Sequence, residues 1–262
     1  MNSEKHLLMV HGFLGNSLNW LPVKRLLEKA QADKILTGDW KFTAVDLLGH
    51  GKKYDLSAYS KFSIEEICLD LLNEVPKTPF VAVGHSFGLR PLLRITEKLG
   101  YEKIIKTLIV EDSSPVLSDR GFEDLRTIFH ELPEVYSSRL NAKETFQKVW
   151  GFESKMPGFL LTNIQEKNGL YSWKIDRKKM FKLLEDSRNQ SMWEAWENYQ
   201  GPIEMLMGSV SSFVPEERIK ECVERRAGKV TRVQYIEGSG HWVHADQVEL
   251  FTNALINLLK LH

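Results

Sequence analysis

Short apolar runs alternate along this chain with longer segments in which apolar side chains recur every three or four residues. The runs His6–Val10, Phe42–Val45, Phe80–Val83, Thr107–Val110, Ile203–Met207 and Val230–Ile236 have the length and character of buried strands. Helical spacing covers Trp20–Ala30, Ser63–Asn73, Leu89–Leu99, Pro215–Arg226 and Asp246–Leu259, and Gly100 stands where a helix C-terminal cap is expected. Strands alternating with helices predict an α/β fold, a mainly parallel sheet covered by helices on both faces.

The pattern changes between residues 116 and 200. No run there reads as a buried strand, and amphipathic segments dominate, rich in aromatics such as Phe122, Phe129, Phe146, Phe159 and Phe181. The sheet pattern resumes after Gly201-Pro202. This predicts a core formed by residues 1–115 and 201–262, with a helical insertion, 116–200, set between two sheet strands. Trp193, Trp196 and Tyr199 share one helix face, a stripe that packing explains better than ligand contact. Arg177-Lys178-Lys179 precede apolar residues at helical spacing and read as a solvated helix face.

Composition narrows the partners. Lys plus Arg (35) balances Asp plus Glu (35), so no charge excess points to nucleic acid or an anionic membrane. With 262 residues, 42% of them hydrophobic, the chain can bury a large core. The two cysteines, Cys68 and Cys222, lack metal-ligand spacing, and Cys68 falls in an apolar helical pattern. No metal or cofactor motif is found. The N-terminus lacks the long apolar segment of a signal peptide, and no stretch is long enough to span a bilayer. The expectation is a soluble, cytoplasmic protein.

One motif stands out. The run Phe80–Val83 breaks into Gly84-His85-Ser86-Phe87-Gly88 and then into a helical segment. A Gly-x-Ser-x-Gly turn between strand and helix holds its serine in a strained conformation, exposed for attack, with glycines where a Cβ would collide. Ser86 needs a base. His241, in Gly238-Ser239-Gly240-His241-Trp242 after the last strand, is preferred over His244, which is expected in the following helix or behind the site. The imidazole needs an orienting carboxylate, and Glu111-Asp112-Ser113-Ser114-Pro115 ends the strand before the insertion. Strand alternation sends Glu111 and Asp112 to opposite sides; Asp112 is preferred, with Glu111 as the alternative. Oxyanion donors are expected from the backbone N–H groups of Phe87, after the nucleophile, and Phe13, in the loop Val10-His11-Gly12-Phe13-Leu14-Gly15.

Together with Asp46-Leu47-Leu48-Gly49-His50-Gly51, Phe159-Leu160-Leu161-Thr162-Asn163 and Gly240-His241-Trp242-Val243-His244-Ala245, these motifs resemble the α/β-hydrolase superfamily. More narrowly, the chain is similar to the YbfF-type serine esterases and their mitochondrial relatives. The resemblance implies hydrolysis of carboxylic ester or thioester bonds through an acyl-enzyme, without metal or cofactor, by Ser86, Asp112 and His241. Many such enzymes place the acid after the strand that follows the insertion. Here that turn, Gly208 to Pro215, has no carboxylate and Ser211 occupies the position, implying a possible fourth member. Leu89 stands where many relatives have a second glycine, and Arg90 follows it. The insertion is expected over the active-site edge, with Trp150, Phe159, Trp173 and Trp242 as pocket candidates for an apolar, short to medium acyl group. A carboxylate-nucleophile dehalogenase or epoxide hydrolase is disfavoured by Ser86. A haloperoxidase or perhydrolase, a peptidase or a carbon–carbon hydrolase would share the triad, and a non-enzymatic receptor or scaffold would commonly lose one of its members. Oligomeric state is not legible.

Overall fold

A computed structural model describes residues 4–99, 104–117, 119–152 and 154–262. The chain runs β1 (Lys5–Val10), α1 (Leu21–Ala32), β2 (Trp40–Val45), α2 (Ile64–Leu71), β3 (Phe80–His85), α3 (Leu89–Leu99) and β4 (Ile105–Glu111). An inserted region follows, with α4 (Asp119–His130), β5 (Val135–Tyr136), α5 (Arg139–Trp150), α6 (Met156–Leu160), β6 (Ile164–Lys167), β7 (Leu170–Trp173), α7 (Arg177–Asn189) and α8 (Trp193–Asn198). The core resumes with β8 (Ile203–Gly208), α9 (Glu216–Glu224), β9 (Thr231–Ile236), α10 (Val243–Asp246) and α11 (Val248–Leu259). The expected Gly100 cap lies outside the described residues.

Six parallel strands form the main sheet in the order β2-β1-β3-β4-β8-β9. Alternation divides each strand between two cores. Leu8, Val10, Ala82, Leu108 and Val110 face the side covered by α2 and α3, with Ile67 and Leu92. Leu7, Met9, Val81, Val83 and Ile109 face the other, with Val23 and Leu27 of α1 and Phe251 and Leu255 of α11. Because both faces are covered, β3 and β8 are buried at every position; β3 reads as a nearly continuous apolar run, and β8 does so apart from the buried Glu204, which pairs with Arg232.

Register brings the strand ends together. His85 of β3 lies opposite Glu111 of β4, Glu111 opposite Leu206 of β8, and Gly208 opposite Ile236 of β9. Residues just beyond these positions therefore gather along one edge of the sheet.

Two expectations for the insertion need correction. It is not wholly helical: β5, β7 and β6 form a three-stranded antiparallel sheet. Lys167 pairs with Leu170 across Asn168-Gly169, whose φ angles of 54° and 77° suit a two-residue hairpin turn. That Asn-Gly pair was the missed signal. A search for buried runs passes over it because β6 and β7 are mostly open to solvent. Nor is the basic triplet wholly solvated. Arg177 is buried, and its guanidinium donates to the carbonyls of Ile128, Phe129 and Leu132 at the end of α4, satisfying acceptors the helix cannot. Trp196 and Tyr199 are buried packing residues, donating to the carbonyls of Cys222 and Ile105. Both cysteines are buried, and burial pushes the Cys222 thiol up to about 12.

Candidate active site

Ser86 follows β3 directly and has a φ of 50°, a left-handed conformation rarely adopted by a residue with a side chain. The flanking glycines make that turn possible. A Cβ on Gly84 would stand 2.9 Å from the Leu89 nitrogen, and one on Gly88 would stand 2.6 Å from the carbonyl oxygens of Val10 and His11. The predicted strand-turn-helix context is thus present, with α3 running back from the turn.

Asp112 leaves the end of β4 with a φ of 43°. Its Oδ2 accepts from His241 Nδ1–H at 2.7 Å and from the Ser211 hydroxyl at 2.7 Å, and its Oδ1 accepts from the Gly208 N–H at 3.1 Å. An ionised carboxylate only accepts, so the imidazole proton resides on Nδ1. Nε2 is then free to accept from the Ser86 hydroxyl, 3.1 Å away. Asp112 is buried while the His241 side chain stays partly open, 21% exposed, so a reacting group can reach it. The ring of Phe213 stacks on His241 with centroids 3.7 Å apart. The Ser211 oxygen also accepts from the Phe213 N–H, so one serine connects the carboxylate to the residue that backs the imidazole.

Glu111, the alternative acid, is occupied elsewhere. Alternation turns it to the other side of the sheet, where its Oε1 accepts from the His244 N–H at 2.8 Å and from His244 Nδ1–H at 2.7 Å. His85 Nε2–H donates to the His241 carbonyl at 3.0 Å. His85, Glu111 and His244 are all buried, and their ligand atoms lie within 4.8 Å of one another, the compactness a metal site requires. Their hydrogen bonds nevertheless hold the loop that carries His241 and the start of α10 just after it. Burial first, then the neighbouring His241 and His244, hold the His85 imidazole well below its ordinary range, so it stays neutral.

The loop after β1 lies against the serine. A Cβ on Gly12 would meet His85 Nδ1 at 2.7 Å and the Ser86 Cβ at 3.3 Å, so only glycine lets the chain pass so close. The loop is fixed by His11, whose Nε2 accepts from the Leu47 N–H and whose Nδ1–H donates to the Gly12 carbonyl. Phe13 and Phe87 meet edge to face at 5.4 Å, both buried.

A mostly apolar cavity of about 220 Å³ opens onto Ser86 and His241. Of the four pocket candidates, Trp150, Phe159 and Trp242 line it. Trp173 does not: it is packed inside the insertion against Phe146 and Tyr136, with its indole N–H donating to the Pro133 carbonyl. Leu125, Met156 and Phe213 line the cavity and were missed, since nothing local distinguishes an apolar residue facing a cavity from one facing a core.

A parallel sheet, a strained serine at a strand-to-helix turn and a carboxylate–imidazole–hydroxyl chain at its edge define a protein of hydrolase architecture. The model of the alpha/beta hydrolase family matches residues 7–254, and the chain belongs to that family. Among curated proteins it is 28% identical to the sn-1-specific diacylglycerol lipase ABHD11 of Xenopus laevis, over 97% of this chain and 79% of that protein. It is 21% identical to a putative esterase/lipase of Haemophilus influenzae, over 97% of this chain and 83% of its relative. Among solved structures, a marine microorganism esterase superposes with a TM-score of 0.76 at 21% identity, covering 97% of this chain and 95% of the other. That last likeness speaks to the fold.

Proposed function

We propose that this protein is a serine hydrolase of the esterase or lipase kind, acting on carboxylic ester or thioester bonds through an acyl-enzyme, in the manner of the YbfF-type esterases. The observation that supports it is the continuous chain from Asp112 to His241 to Ser86, with contacts of 2.7 and 3.1 Å, at the mouth of an apolar cavity. Ser86 attacks the acyl carbonyl as His241 Nε2 takes its proton, and Asp112 holds the imidazole in the required tautomer and stabilises its charged form. The N–H groups of Phe13 and Phe87 receive the oxyanion; losing one such donor typically costs about 10²–10³ in rate. His241 returns its proton to the leaving group and then activates the water that releases the acid. Ser211 is a positioning residue acting through Asp112. The apolar lining, and the lipase and esterase names borne by the relatives, favour an apolar substrate half of short to medium length.

The test is labelling by a fluorophosphonate probe together with hydrolysis of p-nitrophenyl esters and acyl thioesters of graded chain length. Ser86→Ala is expected to abolish labelling and to lower turnover by about 10³-fold or more. A folded wild-type protein that neither labels nor turns over any member of the panel would refute the reading.

A further inference from the structure

The loop after β1 turns at Gly12-Phe13-Leu14-Gly15, closed by the Gly15 N–H donating to the Gly12 carbonyl at 3.0 Å. Leu14, the third residue of that turn, has a φ of 60°. A positive φ at this position ordinarily takes glycine or asparagine, because a larger side chain crowds the backbone there. Leucine answers a different demand: its side chain is fully buried in the core that α2 and α3 cover. The apolar side chain and the left-handed backbone pull against one another, so the turn needs a hold from outside.

The insertion supplies it. Asn163, itself buried, donates from Nδ2–H to the Leu14 carbonyl at 2.8 Å, a buried contact between residues 149 apart in the chain. A carbonyl only accepts, so the amide must present its nitrogen, and an ionised carboxylate could not take its place. The Leu14–Gly15 peptide is then held at both ends, its N–H by Gly12 and its C=O by Asn163. Asn163 is fixed in turn by the frame of the insertion. It ends the 3-10 turn Leu161–Asn163, whose three carbonyls accept, in order, from Arg139 of α5, the Lys174 ammonium and the Lys174 N–H. Phe159, whose carbonyl accepts from the Thr162 hydroxyl, lines the apolar cavity just before this turn.

We propose that Asn163 is a positioning residue for the oxyanion donor: it holds the turn that carries the Phe13 N–H, so the insertion completes the catalytic frame as well as lining the cavity. Without that contact Leu14 relaxes toward the right-handed region, and the neighbouring peptides of the turn rotate with it. The Phe13 N–H then no longer stands fixed on the developing charge. Proton transfer through Asp112 and His241 is held by other segments and stays intact. This rests on the serine-hydrolase reading.

The experiment measures kcat, KM and the pH profile of kcat/KM for p-nitrophenyl butyrate in wild type, Asn163→Ala and Asn163→Asp, together with the Ki of an alkyl trifluoromethyl ketone. Ser86 Oγ adds to the ketone carbon, its proton passes to His241 Nε2, and the carbonyl oxygen becomes an oxyanion facing the backbone donors. The ketone thus reads those donors with no leaving group involved. Each variant is expected to lower kcat by about 10²-fold, the usual cost of one oxyanion donor, with KM within about twofold. The ketone Ki should rise by a similar factor, while the limb of the pH profile set by His241 stays in place. A folded variant with kcat within about twofold of wild type overturns the proposal, as does a loss of kcat with Ki unchanged or with that limb displaced. Should neither variant fold, nuclear magnetic resonance of the wild type decides. On addition of the ketone the Phe13 N–H and the Asn163 side-chain amide protons are both expected to shift, and a Phe13 shift that leaves Asn163 unmoved overturns the proposal. A wild type that neither cleaves the ester nor binds the ketone refutes the hydrolase reading and this proposal with it; an active wild type with equally active variants refutes the role of Asn163 alone.

Discussion

At Asp112 a single carboxylate answers His241, Ser211 and the Gly208 N–H together. These contacts come from two separate segments, the end of β8 with its following turn and the loop after β9, so the side chain both orients the base and fastens the site. Replacing the carboxylate by an amide removes the obligate acceptor that sets the imidazole tautomer. Asp112→Asn is therefore expected to lower kcat by about 10⁴ with little change in fold, as measured by ester turnover and by the far-ultraviolet circular dichroism melt. Ser211→Ala removes only one donor to that carboxylate and should cost about tenfold in kcat with KM held. If Glu111→Gln proved the more damaging change to kcat, the assignment of the orienting acid would pass to Glu111.

Among the elements, the end of β8 and the loop after β9 are in unusually close contact. A Cβ on Gly208 would stand 2.2 Å from the Gly240 carbonyl oxygen and 2.6 Å from that of Ser239, backbone atoms that cannot swing aside. Gly208→Ala must push away the loop that carries His241. A displacement of about 1 Å at a reacting group costs on the order of 10² in rate, so kcat should fall by about that factor and the melting temperature should drop. Gly158→Ala is the matched control, because nothing lies within 4 Å of a Cβ there; it should leave kcat unchanged and, as a helical position, should not lower the melting temperature. Equal effects from the two substitutions would show that this contact does not position the base.

Across the whole molecule, burial keeps several histidines neutral. Burial lowers His11 from 6.5 to about 4, and burial together with the nearby His11 lowers His50 from 6.5 to about 3. A histidine with a depressed folded pKa binds its proton more readily in the unfolded chain, so stability is full above pH 6.5 and declines as pH falls toward the folded value. Between pH 6.5 and 5 the loss should be about 2 kcal/mol for each of these two residues. Urea denaturation at the two pH values checks this, and stability unchanged or greater at pH 5 would contradict it.

Element identity in this chain follows from local rules. Burial on both faces makes a central strand such as β3 a nearly unbroken apolar run, partial burial at the edges leaves β2 and β9 with polar positions between apolar ones, and burial on one face gives a helix its three-to-four spacing, so the main strands and their covering helices are readable along the chain. Gly84 to Gly88 is equally local, because its glycines answer to the backbone within that turn. The small sheet of the insertion left a local mark too, Asn168-Gly169, although its exposed strands lacked the apolar runs that would have announced them. Contacts between distant residues left none. That Asp112 rather than Glu111 meets His241, and that Phe213 backs the imidazole while Trp173 packs inside the insertion, are matters of which surfaces face one another after folding. By itself the sequence determined the elements and the strained serine; the tertiary structure decided which side chains share a space, because proximity across the sheet edge depends on register and packing among segments far apart in the chain.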